Sequence, residues 1–124
     1  PGPIVLAIGR DDYATGLRNL IRKGEPGRLL DRLLVFALIE ARSAERLGLL
    51  AGGLATALAA GTPGVDAKAV ALYESLAAAE QRHRDAFLDL AAQLVPTHAA
   101  ARLAELAAAE ATIVAGLPVR ARIH

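Results

Sequence analysis

An apolar stripe with helical spacing runs through the second half of the chain and contains two ionisable residues. Its members recur three or four positions apart: Tyr73, Leu76, Glu80, His83, Phe87, Leu90 and Leu94. All of them fall within one narrow sector of an α-helix with 3.6 residues per turn. The sequence therefore predicts a helix whose core-facing side carries a carboxyl group and an imidazole.

Glu80 and His83 form a Glu-x-x-His pair, whose side chains project together from a helix. A carboxylate in a core costs several kcal/mol unless it is paired, protonated or bound to a metal. A pair with this spacing is the ligand unit of the di-iron and di-manganese carboxylate bundles. It is also short and common, so on the motif alone the favoured interpretation is a core histidine hydrogen-bonded to a neighbouring carboxylate.

Composition restricts both the fold class and the kind of metal site. The 124 residues are expected to form one domain, 1–124, and the dominance of alanine and leucine predicts an all-α fold. Because the chain has no cysteine, any metal site must use carboxylates and imidazoles, which favours iron or manganese over structural zinc. The net charge of +1 is too small to indicate general nucleic-acid affinity.

The chain carries no recognisable targeting or membrane segment. The apolar run Ile4 to Ile8 is too short for a secretory signal and has no basic flank. The uncharged segment Leu47 to Ala60 ends at Gly61-Thr62-Pro63-Gly64, well short of a membrane span, and is expected to be a buried helix. The cytoplasm is the expected location. Because the chain starts at Pro1 and contains no methionine, we expect a processed or partial form of a longer product.

Capping and breaking residues divide the chain into four predicted helices. The first begins at Asp11 or Asp12 and runs to about Lys23, and the second has Pro26 in its first turn and runs to about Ala59. The third follows a cap at Asp66 and closes at Pro96; the fourth is capped by Thr97 and stops at Gly116-Leu117-Pro118. Pro1 to Arg10 is predicted to be extended and Val119 to His124 irregular.

The long second helix supplies a further candidate ligand, Glu40 or Glu45. Each glutamate lies on its own apolar stripe, and periodicity does not choose between them. An internal ion pair with Arg42, Arg46 or Arg82 is the alternative to a metal role. Gly52 and Gly53 lie inside this helix and are expected to mark a close helix contact or a bend.

A third core carboxylate is predicted on the fourth helix. Glu110 lies on the apolar stripe between Leu106 and Ile113. For this residue the favoured interpretation is a carboxylate that satisfies an arginine.

These motifs together resemble one family. Four parts of the sequence carry the resemblance: Leu38-Ile39-Glu40-Ala41-Arg42-Ser43-Ala44-Glu45-Arg46, Ala79-Glu80-Gln81-Arg82-His83, Glu110, and the closing Arg122 to His124. They resemble the corresponding parts of the tRNA 2-methylthio-isopentenyl-adenosine hydroxylases. The family pattern also fits residues further upstream, namely Tyr13, Arg22, Glu25-Pro26 and Leu30-Asp31. The resemblance therefore covers nearly the whole chain. The family usually has cysteine where this chain has Ala44.

The resemblance implies a ferritin-like helical bundle with a non-haem di-iron site. Members of the family use O₂ to hydroxylate the isopentenyl group of a modified adenosine beside the tRNA anticodon. The family's first two helices, which carry another Glu and another Glu-x-x-His, have no counterpart in this chain, so we expect a partial bundle. By resemblance the metal ligands are Glu45, Glu80 and His83, since the 45-to-80 spacing fits related ferritin-like proteins better than 40-to-80.

The resemblance therefore predicts an iron-dependent tRNA hydroxylase that needs a second half. The helices around Glu45 and Glu80 are expected to pack antiparallel, and a homodimer or a second polypeptide is expected to complete the bundle. Candidate contacts to tRNA phosphates are Arg42, Arg46, Arg82 and Arg84. The rival hypotheses are a metal-free helical interaction module and an iron-handling protein without substrate chemistry.

Overall fold

The computed structural model describes residues 12–117, which form four helices and no strand. Helix α1 covers residues 12–18 of the described chain. It is followed by α2 (Gly27–Ala59), α3 (Ala67–Leu94) and α4 (Ala99–Gly116). The all-α prediction is confirmed. The predictions for Pro1 to Arg10, for a cap at Asp11 and for the tail from Val119 to His124 fall outside the described residues.

A side-chain cap sets the start of α3 where the sequence predicts it. The Asp66 carboxylate accepts a 2.8 Å hydrogen bond from the Ala69 N–H, so Asp66 is the N-cap of α3 as predicted. Gly61 and Gly64 adopt positive φ angles of 74° and 83° in the turn before it, a conformation that glycine adopts without strain. The cap predicted for α4 is wrong, because its N-cap is His98 and not Thr97.

Helices α2 and α3 pack side by side in antiparallel orientation. The rings of Phe36 and Phe87 lie 5.5 Å apart, and one turn further along α2 Glu40 lies beside His83. As residue numbers rise along α2, the numbers of their neighbours on α3 fall, which is the register of an antiparallel pair. The predicted antiparallel packing is confirmed, and it follows from the short turn between the helices.

The hydrophobic core lies at one end of this helix pair. Its buried members come from all four helices: Leu17, Leu30, Leu34, Val35, Ala91, Ala99 and Leu106. Helices α1 and α4 pack there against the first third of α2 and the last turns of α3. The other end of the α2–α3 pair has no such cover within residues 12–117.

Because of this, the prediction of a buried helix over Leu47 to Ala60 is wrong for the described chain. Ala51 is buried in this segment, but Leu49, Leu50 and Leu58 are exposed. A Cβ atom added at Gly52 or Gly53 would meet no described atom within 4 Å apart from the neighbouring residues and backbone of its own helix, so these glycines do not mark a close contact with another helix among residues 12–117. Apolar composition predicted burial here, but the described residues supply no surface to pack on it.

A buried carboxylate joins α2, α4 and the turn after α1. Asp31 is fully buried and accepts bonds of 2.9 to 3.0 Å from the backbone and guanidinium of Arg22 and from the guanidinium of Arg102. Burial alone would raise the pKa of Asp31, but the bonds from Arg102 and Arg22 outweigh it and lower the pKa to about 2. Asp31 therefore stays ionised and holds the core end of the bundle together.

No helix among residues 12–117 combines the length and the apolar character that crossing a membrane requires.

Candidate metal centre

Three side chains with metal-binding atoms converge between α2 and α3. One ligand atom from each of Glu40, Glu80 and His83 lies within 4.8 Å of the others. The His83 Nδ1 atom is 3.4 Å from a Glu80 oxygen and 3.9 Å from Glu40 Oε2. The group brings two carboxylates and one imidazole, the donor types that the absence of cysteine predicted.

Helix geometry explains why these three residues meet. Glu80 and His83 are three residues apart on α3 and project from the same side of that helix. Glu40 faces them from α2 because the two helices are antiparallel, and the Phe36–Phe87 ring pair packs one turn away. The predicted pairing of Glu80 with His83 is therefore present, with a carboxylate from the neighbouring helix beside it.

The structure places Glu40, and not Glu45, in this group. The Glu45 side chain is 65% exposed, and it forms an ion pair with Arg42, with 3.9 Å between the guanidinium nitrogen and the carboxylate oxygen. Glu40 and Glu45 are five residues apart, so their side chains differ by about 140° around α2 and cannot both face α3. The preference for Glu45 over its rival Glu40 is not supported by the positions of these side chains.

The Glu40 carboxylate is held in an unfavourable environment. Its Oε2 atom is buried and has no hydrogen-bond partner among the described residues, and the His83 nitrogen at 3.9 Å is too distant to serve as one. Burial, together with the neighbouring Glu80 carboxylate, raises the pKa of Glu40 to about 7, against a smaller opposing effect of His83. A buried acceptor without a donor fits a position that a cation would satisfy.

These observations favour a metal-binding group over a structural histidine. The core-histidine alternative predicts a buried imidazole that donates to a carboxylate, but the His83 side chain is 58% exposed. Two oxygens and one nitrogen facing a common point suit iron or manganese. The residues present therefore fit part of a carboxylate-bridged metal site.

Replacing Glu40 by glutamine should stabilise the metal-free chain at pH 8 by about 3 kcal/mol. The folded-state pKa of about 7 exceeds the usual 4.5, so ionisation of Glu40 removes stability as the pH rises between these values. Glutamine keeps the shape and carries no charge. Urea denaturation of both proteins, without metal, should show the gain at pH 8 and little difference at pH 4. A destabilised variant at pH 8 would instead indicate a structural role for the Glu40 carboxylate.

A second polar cluster lies nearby and has a structural character. The Tyr13 hydroxyl donates to the buried Glu110 carboxylate, which also accepts a 3.3 Å bond from Arg42. Burial and the bond to Glu110 raise the pKa of Tyr13. Glu110 thus satisfies an arginine, as predicted. The sequence did not lead us to predict the hydrogen bond from Tyr13 to Glu110. The available signal was the position of Tyr13, four residues before the apolar Leu17 on the same face of α1.

Comparison with known proteins agrees with the residue patterns. The family model of tRNA-(MS[2]IO[6]A)-hydroxylase (MiaE) matches residues 4–124. Two curated relatives are both named tRNA 2-(methylsulfanyl)-N(6)-isopentenyladenosine(37) hydroxylase. The protein from Pseudomonas putida is 37% identical over 113 residues, which cover 90% of this chain and 50% of the relative. The protein from Salmonella typhimurium is 33% identical over 112 residues, covering 90% of this chain and 37% of the relative.

The matched segment thus spans half, or less than half, of each curated relative. No solved structure matches the chain. The family match extends over almost the entire sequence and includes both helices that carry Glu40, Glu80 and His83. The chain belongs to the tRNA-(MS[2]IO[6]A)-hydroxylase (MiaE) family.

Proposed function

We propose that this chain is the half of a non-haem di-iron hydroxylase that supplies Glu40, Glu80 and His83 to the metals. The observation that carries the proposal is the convergence of these three side chains around the unpartnered Glu40 oxygen. Membership of the MiaE family supplies the reaction class. The substrate we propose is tRNA that bears 2-methylthio-isopentenyl-adenosine, and the location is the cytoplasm.

In this proposal the protein contributes ligand placement and partial exclusion of water. Iron, when bound, would supply the chemistry that activates O₂, so that one oxygen atom enters the isopentenyl group and the other is reduced to water by two electrons from an external reductant. The Glu40 and Glu80 carboxylates hold the cations, and His83 provides the nitrogen donor. The Phe36–Phe87 ring pair lies one helical turn from the group and gives that side of it apolar neighbours.

The arginines that were predicted to bind tRNA phosphates differ in their surroundings. Arg42 bonds to the buried Glu110, and Arg84 bonds to the adjacent Asp85. Arg82 is exposed and makes no ion pair with any of residues 12–117. We therefore propose Arg82, one position before His83, as a phosphate contact near the metal group, and we assign Arg42 to the structure of the bundle.

The test is hydroxylation of the modified nucleoside by the iron-loaded complete assembly, which is this chain together with the half that completes its metal site. Transfer RNA bearing 2-methylthio-isopentenyl-adenosine, incubated with O₂, a reductant and the protein, should yield a nucleoside that is heavier by one oxygen atom in mass spectrometry. The His83→Ala variant should yield none. An iron-loaded complete assembly that consumes no O₂ and leaves the nucleoside unchanged would contradict the proposal. In that case the iron-handling or interaction-module hypotheses would be preferred.

A further inference from the structure

Basic residues are concentrated where the chain passes from α1 into α2. Residues 18–32 contain five basic and two acidic residues, a net charge of +3, whereas the rest of the chain contains nine basic and eleven acidic residues, a net charge of −2. The overall charge of +1 therefore does not show how unevenly the charges are distributed. A local excess of one sign creates a positive potential at this end of the bundle.

The backbone brings four of these basic residues together, and we call them the basic corner: Arg22, Lys23, Arg28 and Arg32. The Arg28 backbone N–H donates a 2.9 Å hydrogen bond to the Gly24 carbonyl, so the turn that carries Arg22 and Lys23 folds against the start of α2. Arg32 follows Arg28 by one helical turn and projects from the same side of α2. The four side chains thus border one region of the surface.

Three side chains of the basic corner have no partner within the described chain. Lys23, Arg28 and Arg32 are exposed, and their side chains form no hydrogen bond or ion pair with any of residues 12–117. Helix α2 adds to the positive potential, because its first turn contains no acidic residue and its N-cap, Pro26, makes no side-chain hydrogen bond. Cations at this end of a helix oppose its dipole, so helix stability does not account for their presence.

The fourth side chain, Arg22, is held in a fixed position at the surface. Two of its guanidinium nitrogens donate 3.0 Å hydrogen bonds to the buried Asp31, while 49% of the side chain stays exposed. Gly27 leaves room for this arrangement, since a Cβ atom there would lie 2.9 Å from the guanidinium carbon of Arg22. A guanidinium that is already ordered loses little side-chain entropy when it binds a phosphate group.

We propose that the basic corner binds phosphate groups of the tRNA whose modified nucleoside reaches the metal group. Along α2, Arg32 lies about 12 Å and Arg28 about 18 Å from Glu40, at 1.5 Å per residue. At 3.4 Å per stacked base, these distances correspond to about four to five nucleotides. The inference rests on the proposed function for the identity of the RNA, but RNA binding itself requires neither iron nor turnover.

The charge of the basic corner favours RNA over a protein partner. Protein that covered three unpaired cations would remove them from water at a high cost unless it supplied carboxylates. An RNA backbone provides the opposite charge at every nucleotide, and the planar fork of arginine matches the geometry of a phosphate group. Phosphate contacts position a nucleic acid without reading its sequence, so the basic corner should contribute affinity and not the choice of base.

Equilibrium binding to fluorescent tRNA that bears 2-methylthio-isopentenyl-adenosine tests the proposal. The protein is the complete assembly, without O₂ or reductant, so that no turnover occurs. The double variant Arg28→Gln/Arg32→Gln should weaken binding by about 10-fold and reduce the slope of log Kd against log salt concentration by about 1 to 2, because two phosphate contacts are lost.

Two exposed lysines provide a matched control. Lys23→Gln and Lys68→Gln remove the same charge from an exposed side chain, but Lys68 lies in the first turn of α3, outside the basic corner. Lys23→Gln should weaken RNA binding by about 3-fold, whereas Lys68→Gln should bind like the wild type. Circular dichroism of each variant should match the wild type, because the replaced side chains are exposed.

A double variant with the RNA affinity and salt dependence of the wild type would overturn the proposal. Equal losses from Lys23→Gln and Lys68→Gln would also overturn it, because they would indicate a general effect of charge. If the double variant weakens the assembly and leaves RNA binding unchanged, the corner contacts protein and the proposal is wrong. An assembly that binds RNA through the corner but does not hydroxylate it would contradict the proposed function alone. Hydroxylation by an assembly whose RNA affinity does not depend on the corner would contradict this inference alone.

Discussion

Replacing Glu40 by alanine should abolish retention of iron, whereas replacing Glu45 should leave it unchanged. Glu40 lies with Glu80 and His83 in a group of ligand atoms within 4.8 Å of one another, while Glu45 is directed to solvent. Loss of groups that merely orient metal ligands costs about 10- to 100-fold in affinity, so loss of a direct ligand should cost at least that much. Fe(II) titration by calorimetry, with metal analysis after gel filtration, measures the difference.

Two histidines provide a second matched pair for the same assay. His83→Ala should remove iron binding with little change in helix content, because the described core lies apart from His83. His98 is exposed at the N-cap of α4, and His98→Ala should bind iron like the wild type. Iron retention by the Glu40→Ala variant together with its loss from the Glu45→Ala variant would reject the ligand assignment and restore the preference for Glu45.

Replacing Asp31 by asparagine should lower the free energy of unfolding by about 3 kcal/mol, and the melting temperature by about 10 °C. The buried Asp31 carboxylate accepts three hydrogen bonds from Arg22 and two from Arg102. Asparagine has one oxygen fewer and no charge, so the two guanidinium groups lose the charged partner that they share. Thermal and urea denaturation measure the loss, and Asp89→Asn, an exposed position on α3, should change stability by less than about 0.5 kcal/mol.

The same carboxylate should make stability depend on pH in the acid range. The pKa of Asp31 is lowered from the usual 3.8 to about 2, so its ionised form favours the folded chain. This contribution, about 2 kcal/mol, is present above pH 4 and is lost as the pH falls towards 2. The difference between wild type and Asp31→Asn should shrink over that interval. A difference that stays constant from pH 6 to pH 2 would show that the Asp31 charge is not responsible.

Much of the architecture could be predicted from the sequence because its causes are local. The 3.6-residue periodicity and the scarcity of β-branched and aromatic residues predicted helices, and Asp66 and Pro96 marked the ends of α3. The Glu80 and His83 pairing was equally local, since two residues three positions apart on a helix share a face whatever packs on it. The predicted pairing of Glu110 with an arginine also survived, although the sequence did not identify Arg42 as the partner.

Tertiary structure decided which glutamate of α2 joins that pair and which apolar surfaces are covered. Glu40 and Glu45 lie on stripes about 140° apart, and both stripes are apolar, so the choice depends on how α2 is rotated against α3. That rotation is fixed by long-range contacts such as Phe36 with Phe87 and Asp31 with Arg102, which connect residues 51 and 71 positions apart. Likewise, the composition of Leu47 to Ala60 measures its tendency to leave water, but burial requires an opposing surface, and residues 12–117 do not supply one.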